Sequence, residues 1–121
     1  MRTPSRRAVC VSAAAGAMLA AAQARAAVKS AAGDMSLGNP KAPVHVVEYL
    51  SLSCSHCAHF HEDVFPAFRA KYVDTGKVYF TVRELLTAPA QVAAAGFLLA
   101  RCNGGTRYFD ILDQVFRSQG R

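Results

Sequence analysis

An α/β fold built on a strand–helix–strand crossover is predicted by three observations in the middle of the chain. The run Val44-His45-Val46-Val47-Glu48-Tyr49-Leu50 is β-branched and apolar, as a strand requires. Phe60, Val64, Phe68 and Tyr72 then recur at four-residue spacing, the mark of a helix with one buried stripe. Val78-Tyr79-Phe80-Thr81-Val82 returns to a strand pattern that extends toward Glu84. At the joint between the first strand and the helix stands Cys54-Ser55-His56-Cys57. A C-x-x-C at a helix N-terminus, just after a strand, reads as redox chemistry. Backbone N–H groups in the first helical turn lack intrahelical partners, and the helix dipole adds partial positive charge there. Both effects stabilise a thiolate at Cys54, and the thiolate is the reactive form of cysteine.

The N-terminal quarter has a different character. Arg2, Arg6 and Arg7 precede an uncharged, alanine-rich stretch from Ala8 to Ala24, and Ala24-Arg25-Ala26 follows. A basic head, a short apolar run and an A-x-A site describe a signal peptide over 1–26, cleaved after Ala26. The alternative is a structured N-terminal helix. The stretch is too short and too weakly apolar for a membrane span, so no stable membrane insertion is expected. Ser5-Arg6-Arg7 suits the twin-arginine route as well as the general secretory one. The expected location is therefore the periplasm.

Removal of the leader changes the charge. The formal net charge is +6; loss of Arg2, Arg6, Arg7 and Arg25 takes away four of those charges and leaves +2. No dense Lys/Arg patch with interleaved aromatics remains, which argues against nucleic acid. Cys10 leaves with the leader, so Cys54, Cys57 and Cys102 remain. In an oxidising compartment a disulfide can persist. With three thiols, one is left over if Cys54 and Cys57 pair.

Along the remaining chain, residues 27–43 read as a mobile lead-in and turn, with Gly38-Asn39-Pro40-Lys41-Ala42-Pro43 delivering the chain into the first strand. That strand is apolar at nearly every position, as befits a central strand covered on both faces. The helix from Cys54 runs toward Val73, with Pro66 bending or breaking it. Gly76 stops it. The unit over 44–86 fits a right-handed crossover with parallel strands. Beyond it, 87–121 reads as helical. Gln91 to Arg101 is an alanine-rich helix, broken at Gly104-Gly105. A last helix from Arg107 shows Phe109, Leu112, Val115 and Phe116 on one face, and Asp110, Asp113, Gln114 and Arg117 on the solvent face.

In this order and spacing the chain resembles the DsbA branch of the thioredoxin fold. The likeness covers roughly 34–119. It rests on Ala42-Pro43-Val44, Glu48-Tyr49, Cys54-Ser55-His56-Cys57, Phe60-His61, Asp74-Thr75-Gly76-Lys77-Val78, Arg83-Glu84, Ala100-Arg101-Cys102 and Tyr108-Phe109. The resemblance implies an extracytoplasmic thiol-disulfide oxidoreductase with a helical subdomain inserted in a thioredoxin core, the last two helices being its start. It implies partners of two kinds: unfolded or reduced exported polypeptides, and a membrane quinone-linked protein that reoxidises the cysteine pair. No cofactor is implied beyond the Cys54–Cys57 disulfide itself. Two departures stand out. The family's commonest dipeptide between the cysteines is Pro-His, whereas here it is Ser55-His56. The later helices, the closing hairpin and the cis-proline loop of the family also have no counterpart before Arg121, since Pro40, Pro43, Pro66 and Pro89 all lie too early. The expectation is an incomplete thioredoxin-like fold: a fragment, a truncated product or half of an assembly.

Four residues are expected to carry the chemistry. By position, the resemblance makes Cys54 the exposed nucleophile and Cys57 its buried partner. His56 can donate a hydrogen bond or place positive charge near the sulfur, lowering the thiol pKa. Glu48 is an acid in an apolar strand, six residues before Cys54. Burial would raise its pKa and let it exchange a proton with Cys57, a role the family's matching acid supports. Read from the strand alone, Glu48 is an edge residue pairing with a lysine. His59 and His61 with the cysteines offer soft metal ligands, but their spacing suits a surface role better. Cys102 either pairs downstream or stays a free thiol. The competing readings are a non-catalytic metal-binding or redox-sensing module and an inactive remnant.

Overall fold

The computed structural model describes residues 31–119; the expected leader lies outside them. A three-stranded sheet carries the fold, with β1 at Met35–Leu37, β2 at Val44–Leu50 and β3 at Val78–Glu84, in the order β1-β3-β2. β2 pairs with β3 in parallel, Val44 opposite Val78 through Leu50 opposite Glu84. β1 pairs with β3 antiparallel, Met35 opposite Val82. The lead-in read over 27–43 therefore missed a strand: three residues are too few to show an alternating pattern. At Gly38, just after β1, φ is +89° and a Cβ would stand 2.8 Å from the Val78 carbonyl oxygen. Only glycine fits that turn.

The expectation of a central first strand is also corrected. Among the described residues β2 lies at the sheet edge, with Val44 and Tyr49 exposed, while β3 is central and holds Val78, Phe80, Thr81 and Val82 buried. An apolar run marks a strand, not its place in the sheet; in β2 only Leu50 is buried.

The crossover is helical throughout. Ser55–His59, Phe60–Val64, Phe65–Phe68 and Arg69–Val73 run end to end as one helix, α1, with wide π-type turns in the second and fourth pieces. The Phe65 N–H donates to the Phe60 carbonyl and the Asp74 N–H to that of Arg69 at 2.9 Å. Pro66 has no N–H to donate, and its ring would strike the carbonyl one turn earlier in a regular helix. The helix widens ahead of it instead of breaking. Widening also rotates the buried face. Ala58, His61, Phe65 and Val73 are buried, whereas Val64 of the expected stripe is exposed. Phe65 then packs against Phe80 of β3, the rings tilted by 42° with centroids 4.8 Å apart. Gly76, with φ of +74°, ends the turn after α1 as expected.

Helix α2 spans Ala90–Arg101 and α3 spans Tyr108–Ser118, joined by a 3₁₀ turn at Cys102–Gly105. The Ala88–Pro89 peptide bond ahead of α2 is cis. Ala93, Phe97 and Ala100 bury one face of α2; Tyr108, Leu112 and Phe116 bury a stripe of α3. Glu84 ties both helices to the sheet, accepting from Arg101 Nε at 2.7 Å and from the Tyr108 hydroxyl at 3.1 Å. Arg83 does the same for β1 and β2, donating to Asp34 and to the Tyr49 hydroxyl, each at 3.0 Å. Its guanidinium holds the Asp34 carboxyl below the usual carboxylate range.

The rotated face of α1 is testable by paired truncations. Phe65, 3% exposed, should cost about 3–5 kcal/mol on replacement by alanine. Val64, 51% exposed, should cost no more than about 0.5 kcal/mol. Urea unfolding of the two variants measures both; equal losses would show that the stripe faces the core as the four-residue pattern predicts.

Candidate active site

The site begins where β2 hands the chain to α1. Ser51 and Ser53 anchor this short loop. Ser51 Oγ accepts from the Thr87 N–H at 3.2 Å, and Ser53 Oγ donates to the Thr87 carbonyl at 3.0 Å. Just past α3, Gln119 Nε2 donates to the Leu52 carbonyl at 2.6 Å. The loop leads directly into the first helical turn, since the Cys54 N–H donates to the Ser51 carbonyl at 3.1 Å.

Cys54 is the N-cap of α1, with an extended backbone (φ −98°, ψ 115°). Its Sγ accepts from the Cys57 N–H at 3.4 Å, in the position a serine or aspartate oxygen takes in ordinary caps. That N–H is the main reason the Cys54 thiol is pulled below its ordinary value; the Cys57 thiol and the His56 N–H add to it, against the cost of burial. Cys57 lies one turn further in and moves the other way. Burial pushes its thiol up, and the Cys54 sulfur and the Glu48 charge add to this, opposed by the Ser51 N–H. Both thiols are free in this structure.

His56 is exposed, and it reaches Cys54 through its backbone N–H; among the described residues no hydrogen bond joins its imidazole to the sulfur. Glu48 lies on the helix-covered face of β2, opposite Val82 in register. Its partner is a histidine and not a lysine: Glu48 Oε2 lies 2.9 Å from His61 Nε2. The two helix histidines divide. His59 is on the surface, 3.7 Å from Asp63, while the surface role expected for His61 is wrong because its ring is buried. Asp113 is likewise not on the solvent face of α3; its Oδ1 is 3.7 Å from His61 Nδ1. One signal for His61 was present, because a carboxylate inside an apolar strand needs a donor, and His61 sits one turn beyond Cys57. Nothing in the sequence marks Asp113. Among the described residues no group of three or more His, Cys, Asp or Glu is placed to hold a metal. None of their helices is long and apolar enough to cross a membrane. Cys102 is exposed, its Sγ donating to the Leu98 carbonyl at 3.3 Å.

One acidified and one half-buried thiol at the start of a crossover helix suit the thioredoxin-fold class. A family model described as thioredoxin matches residues 30–121. A protein of Rickettsia conorii, named provisionally as a protein-disulfide oxidoreductase, is 44% identical over 86 residues, covering 71% of this chain and 30% of that one. Among solved structures, alpha-DsbA1 of Wolbachia pipientis superposes with a TM-score of 0.65 at 36% identity, over 75% of this chain and 45% of its own. A protein-disulfide isomerase from Novosphingobium aromaticivorans gives 0.66 at 31% identity, over 73% and 44%. The chain belongs to the DsbA-type branch of the thioredoxin family. It spans under half the length of each of these relatives.

The opposed thiol shifts predict a pH-resolved labelling pattern. With iodoacetamide and peptide mass mapping of the reduced protein, Cys54 should react with a midpoint below about 8.5 and Cys57 only above it. In stability the sign follows from the depressed value. The contribution of the Cys54 thiolate is fully present above the unfolded thiol pKa and is lost as pH falls through the folded one. Coincident midpoints for the two cysteines would contradict the asymmetry.

Proposed function

We propose that this chain carries the redox half-site of a periplasmic thiol-disulfide oxidoreductase that introduces or exchanges disulfides in exported proteins. The observation that carries the reading is the Cys54 sulfur at the N-cap of α1, accepting the Cys57 N–H. In the oxidising direction a substrate thiolate attacks the Cys54 sulfur of the Cys54–Cys57 disulfide. A substrate–Cys54 disulfide forms, and the Cys57 sulfur leaves with the electron pair and takes up a proton. A second substrate thiolate then attacks the substrate sulfur of that mixed disulfide, and Cys54 departs as its stabilised thiolate. The substrate is oxidised by two electrons and the cysteine pair is reduced by two.

The stabilised leaving group favours oxidation of substrates over their reduction, because the potential rises as the reduced form is stabilised. The redox-active group is the cysteine pair itself, with no other cofactor. Its substrates are reduced exported polypeptides, and a membrane quinone-linked protein restores the disulfide. Support for export comes from the basic head, alanine-rich run and A-x-A site at 1–26. His56 contributes through its place in the cap, and Glu48 as the acid whose charge bears on the Cys57 sulfur.

Oxidation of a reduced two-cysteine peptide by the full chain, followed by mass spectrometry, tests the reading. Cys54→Ser should abolish turnover, and Cys57→Ser, given the same peptide in its disulfide form, should trap a substrate–Cys54 disulfide as the peptide's other sulfur leaves as a thiolate. Turnover retained by Cys54→Ser would overturn the assignment of the attacked sulfur.

A further inference from the structure

His61 is 4% exposed, yet it is not a neutral filler of the core. Its ring lies between Phe65 and Phe116, with centroids at 4.7 and 4.9 Å, and edge-on to Phe60 at 5.6 Å. Each ring nitrogen faces a carboxylate from a different element. Nε2 is 2.9 Å from Glu48 Oε2 of β2. Nδ1 is 3.7 Å from Asp113 Oδ1 of α3, beyond hydrogen-bond range, and it has no other partner. A neutral imidazole has one N–H and one lone pair, so it would aim a lone pair at one of these carboxylates. Only the imidazolium presents a donor to both. A charge this deeply buried needs such pairing. Burial pulls the imidazole toward its neutral form, but Asp113 and Glu48 outweigh it and the net shift is upward.

We propose that His61 is the positioning residue of the redox site: a buried imidazolium, anchored by Asp113, that holds the Glu48 carboxylate beside Cys57 and stores the proton Cys57 requires. The relevance to turnover rests on the function proposed above. When the Cys54–Cys57 disulfide opens at Cys54, the Cys57 sulfur becomes a thiolate in a buried setting beside a carboxylate. His61 passes its Nε2 proton to Glu48, and Glu48 passes a proton to the sulfur. One proton leaves the imidazolium, one arrives at Cys57, and Glu48 ends as it began. The titratable groups facing His61 are Glu48 from β2 and Asp113 from α3; Cys57, one turn earlier on α1, is reached through the charge of Glu48. Tyr108 of α3 lies within electrostatic reach of Glu48 from the far side, its hydroxyl donating to Glu84. The charge state of Cys57 is thus linked to a histidine and departs from the single ionisation of an isolated thiol.

The test needs no substrate, so it stands apart from the turnover assay. In the full chain carrying Cys54→Ser, the alkylation rate of Cys57 is followed against pH by mapping the labelled peptide, which separates it from Cys102. The His61 ring is titrated in parallel by NMR. The expected profile has two inflections, one for the thiol and one at the His61 midpoint, which lies above about 6.5. Asp113→Asn, a change at a partly exposed position, should lower the NMR midpoint and the matching inflection together, by on the order of one pH unit. His61→Gln should remove that inflection while near-UV circular dichroism stays native. A single inflection in the parent, a His61 midpoint below that of a free imidazole, or an Asp113→Asn shift in the NMR titration without one in the profile would each overturn the proposal. If His61→Gln fails to fold, the Asp113→Asn comparison decides alone.

Discussion

The parallel pairing of Val44–Leu50 with Val78–Glu84 is the constraint on which the site depends. Parallel neighbours cannot be joined by a tight turn, so the chain must travel back across the sheet before the second strand begins. Helix α1 makes that return, and its first turn therefore opens beside the C-terminal end of β2. Residue 54 falls where unpaired N–H groups converge because the topology leaves the helix no other place to start. The same register sets Glu48 on the face that α1 covers, opposite Val82. A slip of one residue would turn Glu48 to the opposite face, away from His61 and Cys57.

From that placement comes a division between two chemically identical side chains. Cys54 is at the cap and gains backbone donors; Cys57 is one turn inside and loses solvent. A helix end by itself contributes up to about 2 kcal/mol, which is about one and a half pKa units. Any stronger depression comes from the particular donors, the Cys57 N–H first, then the Cys57 thiol and the His56 N–H. Unequal thiols give direction to the exchange: the sulfur that is attacked also leaves well, and its partner is the one that needs a proton.

Much of this was visible in the sequence because it depends on local patterns. The β2–α1–β3 order, the end of α1 at Val73, the stop at Gly76 and the position of the cysteine pair follow from side-chain periodicity and turn residues. What escaped depends on packing between distant segments. Met35–Leu37 is too short to alternate and becomes a strand only by pairing with β3. The buried stripe of α1 moved from Val64 to Phe65 because wide turns absorb Pro66, and a regular period cannot anticipate them. His61 and Asp113 looked like surface residues since each was read on its own helix. Their burial arises where α1 meets β2 and α3, a contact no single periodicity encodes. The edge position that β2 holds among the described residues was hidden for the same reason, as sheet order is a property of the assembled strands.

Between the two thiol midpoints the reduced site holds one thiolate, at Cys54, and one thiol, at Cys57. The pH dependence of the Cys54–Cys57 reduction potential, measured by equilibration of the full chain with glutathione redox buffers, reads this directly. Reduction takes up two electrons, and one proton if Cys54 stays ionised while Cys57 is protonated. The predicted slope is then about 30 mV per pH unit between the two thiol midpoints. A slope of about 59 mV per unit through the same range would mean that both sulfurs take up protons on reduction. That result would contradict the stabilised Cys54 thiolate and the account built on it.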